Sequence, residues 1–399
     1  MVVAFGAPVA RAHLSDIFAR RLLLKLLRRS RQPHQVDIAP RDSARPQSPP
    51  AGVALPSIIG RQSGTSRPSD YAVLKRRVGE AGLLRKQPWY YVLCISANLS
   101  MLSLCLLLLV VVAPNPWLLA LDAVALGLVS GQLGFQLHDA GHKQMFDRTS
   151  LNDAVGYLTG DGLLGMSYGW WVDKHNRHHA SPNHVDDDPD INNLAIAYTR
   201  AQALERRGPM RWLAAYQAFA FFPMISLLAV SMHVSSIAYL LSPRARRRGL
   251  EAVLLLGHAA LYFGFLLLLL GPWGALLVIA LHKAAGGAYM ASVFAPNHKG
   301  MPQIDGTTRL DFLRKQVLTA RNVRSGPATD LWYGSLNYQV EHHLFPAMPR
   351  NRIRAAHRIV VEFCGEVGVP FYETSMARSY RELLAFLHEV GRPLRQAAG

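Results

Sequence analysis

Three histidine clusters and one isolated histidine could bind metal ions. The segments that hold them read HDAGH, KHNRHH, FAPNHKG and LNYQVEHHLFP. Spacings of three and four residues within the clusters place the polar side chains on one face of a helix. Imidazole binds zinc, iron, copper and nickel, so this pattern predicts metal coordination. The candidate ligands are His138, His142, His175, His178, His179, His298, His342 and His343.

The number of histidines indicates more than one metal ion. A structural zinc site takes four ligands, usually with thiolates, and eight histidines exceed that requirement. A lone histidine pair is more often an ordinary polar helix face, but three patterned clusters favour a shared site. His184 is left open, because it lies beyond the helical spacing of its cluster. The histidines inside apolar segments are interpreted as packed side chains: His233, His258 and His282.

Acidic residues stand among the clusters and could orient the histidines. A carboxylate that accepts the free ring N–H of a ligating histidine fixes both its tautomer and its orientation. We predict this role for Asp139 and Asp190. The other acidic residues of these segments are left unassigned, because a solvated loop also explains them: Asp186, Asp187, Asp188 and Glu341.

The composition indicates a membrane protein with basic loops. Half of the 399 residues are apolar, yet 43 Lys and Arg face 26 Asp and Glu, a net charge of +17. Nucleic-acid binding needs a basic face with stacking aromatics, and here the basic residues gather in the N-terminal segment and beside apolar runs, so we expect no nucleic-acid partner. Anionic lipid headgroups and an acidic redox partner fit better. The three cysteines form no CxxC pair, which argues against a disulfide scaffold or a thiolate zinc site.

Five apolar runs must position the histidines relative to a bilayer. They cover residues 89–113, 117–135, 212–241, 250–270 and 273–295. The first two form a predicted membrane hairpin across the PNP break. Four arginines in the link SPRARRRG favour the cytoplasmic side, so the third run should lie on the membrane or dip into it without crossing. Four crossings then leave every histidine cluster on the cytoplasmic face.

Residues 1–70 are predicted to be a disordered basic extension. They are rich in Arg, Pro, Ser, Ala and Gln, a composition that cannot bury a core. Within them, ARRLLLKLLRRSRQ favours a short amphipathic helix on a membrane surface. We therefore place the folded membrane domain at residues 71–399. The high Arg and Ala content favours a bacterial cytoplasmic membrane as its location.

The histidine motifs closely resemble those of the membrane fatty acid desaturases, which are marked by HxxxH, HxxHH and a third HxxHH motif. In the third motif, glutamine in place of the first histidine is typical of the front-end group of that family. HDxGH, HNxHH, DPDI and NYQIEHHLFP of that group are nearly reproduced, and the resemblance covers residues 88–360. In this sequence the motifs are His138-x3-His142, His175-x2-His178-His179 and Gln339-x2-His342-His343.

The resemblance implies an all-α fold, an integral membrane four-helix transmembrane bundle with a cytoplasmic helical cap that holds a di-iron histidine site. It also implies that His298 is an iron ligand and that Asn297 holds a metal-bound water. Gln339 is a weaker ligand than imidazole, and we expect it to hydrogen-bond a ligand or such a water. Many front-end enzymes carry a cytochrome domain marked by HPGG, which does not occur in residues 1–87. Electrons are therefore expected from a separate donor such as a ferredoxin or a cytochrome.

The chemistry of the motifs agrees with the activity that the resemblance implies. Unactivated methylene C–H bonds require a strong oxidant, which redox-active metals supply and zinc does not. We expect two non-haem iron ions and dioxygen to support insertion of a double bond into the chain of an acyl-CoA or an acyl lipid. An apolar tunnel should hold that chain. Tyr168, Trp170 and Trp171 are predicted to line it, or else to anchor the protein at the interface.

Two other functions are open to the same motifs. A di-iron membrane hydroxylase or oxygenase of a lipid or hydrocarbon would use the same scaffold and add one oxygen atom instead of removing two hydrogens. A metal transporter would place its ionisable ligands within the crossings, whereas these histidines gather beyond their ends.

Overall fold

The computed structural model describes residues 69–192 and 195–396. The predicted disordered extension, up to residue 68, and the amphipathic helix within it lie outside the described residues. The described chain is mostly helical, and the strands in it are two short ones.

The first helices are α1 (Asp70–Glu80), α2 (Pro88–Val112), α3 (Pro116–Gly141), α4 (Thr149–Tyr157), a π-helix (Leu158–Leu164), α5 (Tyr168–Ala180), α6 (Arg200–Glu205), α7 (Gly208–Ala215), α8 (Gln217–Ile225) and α9 (Leu228–Leu241). The later elements are α10 (Arg248–His298), α11 (Phe312–Leu318), β1 (Asn322–Val323), α12 (Pro327–Trp332), α13 (Gln339–Leu344), a 3₁₀ turn (Arg350–Arg352), α14 (Ile353–Glu366), β2 (Glu373–Thr374) and α15 (Met376–Gln396). The two strands pair in parallel, with Asn322 opposite Glu373.

Helices α2 and α3 form the hairpin that the sequence predicts. Asn115 caps α3, because its side-chain oxygen accepts the backbone N–H groups of Trp117 at 3.0 Å and Leu118 at 3.2 Å. Leu104 and Leu107 on α2 are exposed, as expected of side chains that face lipid.

Helix α3 is longer than the apolar run from which it was predicted. It continues to Gly141, so His138 lies inside its last turn instead of following the helix. His142 is the residue at its C-terminal cap. The helix itself therefore fixes the direction of the first histidine pair.

Helix α10 contains 51 residues but consists of two arms that fold back on each other. Gly271 has a φ of 66°, a left-handed value that favours glycine, and Pro272 follows it. A straight helix would hold Tyr262 and His282 about 30 Å apart. Instead the Tyr262 hydroxyl lies 2.7 Å from Nδ1 of His282. The arms, 248–270 and 272–298, correspond to the last two predicted apolar runs.

The apolar run at 212–241 is broken in the structure. Helices α8 and α9 meet at an angle of 71° across a short break, and Pro223 lies within α8. In the described chain, α2, α3 and α10 are long and apolar enough to cross a membrane, and the bent pair would count as a further span. These helices fit an integral membrane protein.

Close packing of α3 against the second arm of α10 joins two of the elements that carry histidines. A Cβ atom on Gly127 would stand 2.7 Å from Cβ of Ala285 and 2.8 Å from the carbonyl oxygen of His282. Only glycine permits this approach. Both helices then direct their C-terminal ends, with His138 and His298, toward the same region.

A second core lies beyond the ends of the long helices. It joins α1, α11, α13 and α14 through apolar side chains that are almost fully buried, among them Leu74, Val317, Val340 and Phe363. This core holds the short helix α13 in place, and α13 carries the third histidine cluster.

Candidate metal centre

The eight predicted histidines come together in one buried site. They are contributed by the end of α3, the C-terminal half of α5, the end of α10 and the short helix α13. Seven of the histidines form two groups, and within each group one ring nitrogen of every residue lies within 4.8 Å of the others. The groups are His138, His142, His175 and His342, and then His178, His298 and His343.

His179 stands between the two groups. Its Nε2 lies 3.1 Å from Nε2 of His175 and 3.1 Å from Nε2 of His342, both in the first group. Its ring also stacks on that of His343, with centroids 4.2 Å apart, in the second group. The two groups are therefore neighbours within one site.

Four of the histidines have their tautomer fixed by an oxygen that accepts a proton from Nδ1. Two of these oxygens belong to carboxylates and one to a backbone carbonyl, which can only accept. The fourth belongs to the Gln316 amide, whose orientation is set because its Nε2 donates to the carbonyl of His179 at 2.9 Å. The pairs are His138 with Asp139 at 3.1 Å, His178 with Asp188 at 2.9 Å, His298 with Thr319 at 3.1 Å, and His343 with Gln316 at 2.9 Å.

This arrangement leaves lone pairs that face one another inside the site. Nε2 of His178 lies 3.3 Å from Nε2 of His298, and a neutral ring whose Nδ1 donates to an oxygen has no proton on Nε2. Within the described residues, Nε2 of His142 and Nε2 of His343 are buried without a hydrogen-bond partner. Bound cations would coordinate these nitrogens. Without a cation or a donor between them, their lone pairs would face one another unsatisfied. The residues fit a metal centre.

The protonation state of the site agrees with metal binding. Burial lowers the pKa of His175, His179, His342 and His343 well below the ordinary value, and neighbouring imidazoles lower it further. These rings are therefore neutral near pH 7, which is the form that coordinates metal.

Asp139 lies where the sequence predicts it, against a ring of the first group. One of its oxygens accepts from His138, and the other pairs with the guanidinium of Arg350. The backbone N–H of Arg350 donates to the Tyr91 hydroxyl at 2.9 Å. The chain just beyond α13 is thereby tied to both helices of the membrane hairpin.

Asp188 makes the closer carboxylate contact with His178, and the sequence had not singled it out. Its Oδ1 lies 2.9 Å from Nδ1 of His178, whereas Oδ2 of Asp190, the predicted partner, lies 3.5 Å away. Asp190 pairs with Lys174 instead. Burial raises the pKa of Asp190, but Lys174 and His178 outweigh it and hold that pKa well below its ordinary value.

Gln339 and Asn297 lie side by side next to His298. The Asn297 side chain donates to the carbonyl of Leu336 at 3.0 Å and to Oε1 of Gln339 at 2.9 Å. This orients the glutamine so that its amide donates to Nε2 of His298 at 2.9 Å. In the described chain, Oδ1 of Asn297 is buried without a partner.

Helix α13 is held by contacts on the side away from the histidines. Asn322 accepts the backbone N–H of Val340 at 2.9 Å and donates to Glu341 at 2.7 Å. The other oxygen of Glu341 accepts from His357 at 2.8 Å. Glu341 therefore positions the third cluster from behind.

His184 lies outside the two histidine groups. Its Nδ1 accepts the backbone N–H groups of Asp186 and Asp187, both at 3.3 Å, so it closes a turn. The sequence also gave no signal for Gln316 and Thr319, which belong to no motif yet contact His343 and His298.

A partly open cavity of about 60 Å³ lies on the membrane side of the histidines. It is bounded by α3, the π-helix, α9 and the second arm of α10, and its apolar lining includes Met166, Met232 and Met290. Met166 and Met232 pack in the cluster that contains Trp171, whose ring stacks on His175 with centroids 4.4 Å apart. The side chains of this cluster thus lie between the cavity and His175.

The aromatic residues predicted to line a tunnel lie beside this cavity. Tyr168 is buried and donates its hydroxyl proton to Asp153 at 2.9 Å, and Trp170 packs in the same cluster as Trp171. The residues that line the cavity itself come from other positions of the chain.

Comparison with known proteins gives one family. The fatty acid desaturase family model matches residues 114–375. An acyl-lipid (9-3)-desaturase of Physcomitrium patens is 32% identical over 320 residues, which is 77% of this chain and 60% of that protein. A delta(6)-fatty-acid desaturase of Caenorhabditis elegans is 29% identical over 75% of this chain and 69% of its own length. A delta(8)-fatty-acid desaturase of Euglena gracilis is 30% identical over 76% of this chain and 74% of its own length.

The chain thus spans 60% of the length of the Physcomitrium patens protein and somewhat more of the other two. These relatives are eukaryotic, so they give no support to the bacterial location that the composition favours.

Proposed function

This chain belongs to the fatty acid desaturase family, and on that premise we propose that it is a front-end desaturase. It removes two hydrogens from an acyl chain between an existing double bond and the carboxyl end, with dioxygen and two electrons. Relatives named as delta(6), delta(8) and delta(5) desaturases support this position. The glutamine at the start of the third histidine motif agrees with it.

The observation that carries the proposal is the pair of histidine groups, in which an oxygen holds Nδ1 of four rings and leaves Nε2 as the coordinating atom. We assign one iron ion to His138, His142, His175 and His342, and a second to His178, His298 and His343, with His179 between them. Asn297 and Gln339 are proposed to hydrogen-bond a water or a ligand at the second ion, because Gln339 contacts His298 and Asn297 contacts Gln339.

Bound iron supplies the oxidising power that breaking an unactivated C–H bond requires. The chain's own residues prepare the site for it. Asp139 and Asp188 hold the Nδ1 protons of His138 and His178, so that Nε2 stays free to bind metal. The Trp171 ring covers His175 on the cavity side and keeps bulk water away from it.

The cavity on the membrane side is the proposed acyl-chain site. Its apolar lining suits methylene groups, and the cluster that contains Met166 and Trp171 lies between it and His175. Tyr168, Trp170 and Trp171 are retained as the proposed wall between chain and metal centre. The acyl group is proposed to be carried as a CoA thioester or a lipid ester.

The proposed topology has four crossings, α2, α3 and the two arms of α10, with α8 and α9 dipping into the membrane. The arginine-rich link after α9 supports a cytoplasmic location for the histidines. The helices beyond the crossings form the proposed cap. We propose residues 71–399 as the desaturase domain, residues 1–70 as a disordered basic extension, and a ferredoxin or cytochrome as the separate electron donor.

Expression in a host supplied with defined fatty acids tests the proposal. We expect mass spectrometry to find products two hydrogens lighter, with the new double bond on the carboxyl side of an existing one. Products heavier by one oxygen would indicate a hydroxylase instead. His342→Ala should abolish the product and His184→Ala should not, because only His342 belongs to a histidine group. Full desaturation with full iron content in His342→Ala would refute the di-iron assignment.

A further inference from the structure

A polar cluster interrupts the otherwise apolar wall of the cavity. His233 on α9, with His282 and Lys283 on the second arm of α10, line it. Ser130 on α3 also lines it. Helical rise places Ser130 about 12 Å before His138 and Lys283 about 22 Å before His298.

Most polar atoms of this cluster already have partners. His282 is bonded through Nε2 to Ser130 at 2.8 Å and through Nδ1 to Tyr262 at 2.7 Å. His258, on the first arm, is bonded through Nδ1 to the carbonyl of Gly162 at 3.0 Å. These hydrogen bonds fix the orientation of both imidazole rings. They occupy both ring nitrogens of His282 and Nδ1 of His258, so these atoms are not free to bind a ligand.

Two groups of the cluster have no such partner. The ammonium of Lys283 lies over the ring of Tyr262, 4.9 Å from its centroid, and no carboxylate of the described chain lies within ion-pair distance of it. Nδ1 of His233 is buried and, within the same described chain, makes no hydrogen bond. Both side chains line the cavity, so both can reach a molecule inside it.

An unpaired amine inside a long apolar helix has an energetic cost. Lys283 is twelve residues beyond the turn at Gly271, about 18 Å by helical rise, and its side chain is only partly exposed. Ionisable side chains within membrane helices are rare and normally pair with another group or mark a ligand site. An apolar chain end placed against Lys283 would leave the amine without any acceptor.

We propose that Lys283 and His233 form a binding site for a carboxylate carried by an acyl chain in the cavity. The ammonium supplies the counter-charge, His233 supplies a second donor, and the apolar remainder of the cavity holds the methylenes. This inference rests on the proposed function, because it takes the ligand of the cavity to be an acyl chain. The carboxylate belongs either to an unesterified fatty acid or to the far end of an esterified chain.

Equilibrium binding to the purified protein in phosphatidylcholine nanodiscs tests the site without turnover. The probe is radiolabelled palmitate, displaced by palmitate, by methyl palmitate, or by the monomethyl ester of hexadecanedioic acid, with empty nanodiscs to correct for partition into lipid. We expect one carboxylate competitor to bind at least tenfold more tightly than methyl palmitate. Preference for palmitate identifies the unesterified head, and preference for the monomethyl ester identifies a distal carboxylate.

Substitutions at Lys283 separate the site from general packing. Lys283→Met should lose the preference for carboxylate while keeping its affinity for methyl palmitate and its iron content, and Lys283→Arg should keep the preference. Lys75→Met, on an exposed face of α1, is the matched control and should behave as wild type. Equal affinity of wild type for acids and ester, or an undiminished preference in Lys283→Met, would overturn the inference. A carboxylate preference in a protein that forms no double bond would instead refute the proposed function alone.

Discussion

Asp188 accepts the Nδ1 proton of His178 at 2.9 Å and, with its other oxygen, the backbone N–H of Asn183 at 2.8 Å. The Asn183 side chain donates in turn to the carbonyl of His298 at 2.9 Å. One buried carboxylate therefore connects two histidines of the same group, although they are 120 residues apart in the chain.

Asp188→Asn should weaken metal binding in the second group. The amide removes the charge that holds the Nδ1 proton of His178, and loss of such a partner typically reduces metal affinity about 10–100-fold. Iron bound per protein after dialysis measures the effect. Asp186→Asn, an exposed change in the same loop, is the control and should retain its iron. Equal iron content in the two variants would contradict the role of Asp188.

His342→Ala and His343→Ala should each lose about half of the bound iron. The two residues are adjacent in sequence, but their rings belong to different groups. Metal analysis of the purified variants gives the stoichiometry, and loss of both ions from each variant would show that the groups do not load independently. Neither variant should form product, because the proposed reaction needs both ions.

Gln339→Ala should disturb the second group and spare the first. Its side chain is held by Asn297 and contacts His298, and among the residues described it makes no hydrogen bond to the ring of His138 or His342. We expect reduced iron retention confined to one of the two ions and at least tenfold lower activity. Undiminished activity in Gln339→Ala would show that Gln339 does not support the second histidine group.

Asp161→Asn should flatten the dependence of stability on pH. Asp161 is buried in the π-helix, and burial followed by the nearby Glu251 raises its pKa from 3.8 to about 8. The folded protein therefore holds a proton that the unfolded chain releases, so this contribution to stability is full below pH 3.8 and is lost as pH rises through about 8. Melting temperatures across that range should fall more steeply for wild type than for the variant. Parallel curves would show that Asp161 titrates normally.

Gly127→Ala should destabilise the protein while Gly257→Ala should not. A methyl group at position 127 collides with the second arm of α10, and overpacking of this kind costs about 1–3 kcal/mol. Position 257 has no atom within 4 Å of the added carbon, and alanine is the better helix former there. Thermal unfolding of the two variants in detergent measures the difference. Equal melting temperatures would indicate that α3 and α10 pack less closely than described.

The sequence motifs identified the family and the elements that carry the histidines. The desaturase assignment is confirmed by the family match. The apolar runs predicted the α2–α3 hairpin and both arms of α10, because long stretches without charge have few alternatives to a membrane helix. The arginines after residues 212–241 predicted that this segment does not cross the membrane; the 71° bend fits a broken span as well as a re-entrant one, so this stays a prediction.

The hydrogen-bond partners of the histidines were harder to predict. Asp188 and Asp190 lie two residues apart in an irregular loop, where no periodicity tells which carboxylate turns inward. Gln316 and Thr319 are brought to the site by α11, whose position depends on a core formed with α1 and α14. The sequence shows Lys283 as one polar residue in an apolar run. It does not predict the cluster around Lys283, because the neighbours of this residue come from three other segments.

The folded-back shape of α10 has a consequence for the order in which the protein is completed. His138 emerges early in synthesis, but His298 can face it only after both arms have been made, and His343 follows still later. A nascent chain that has not yet reached α13 lacks a proposed ligand for each group. The proposed iron ions would therefore bind the finished polypeptide, and a premature stop before residue 342 would yield a protein with no complete metal site.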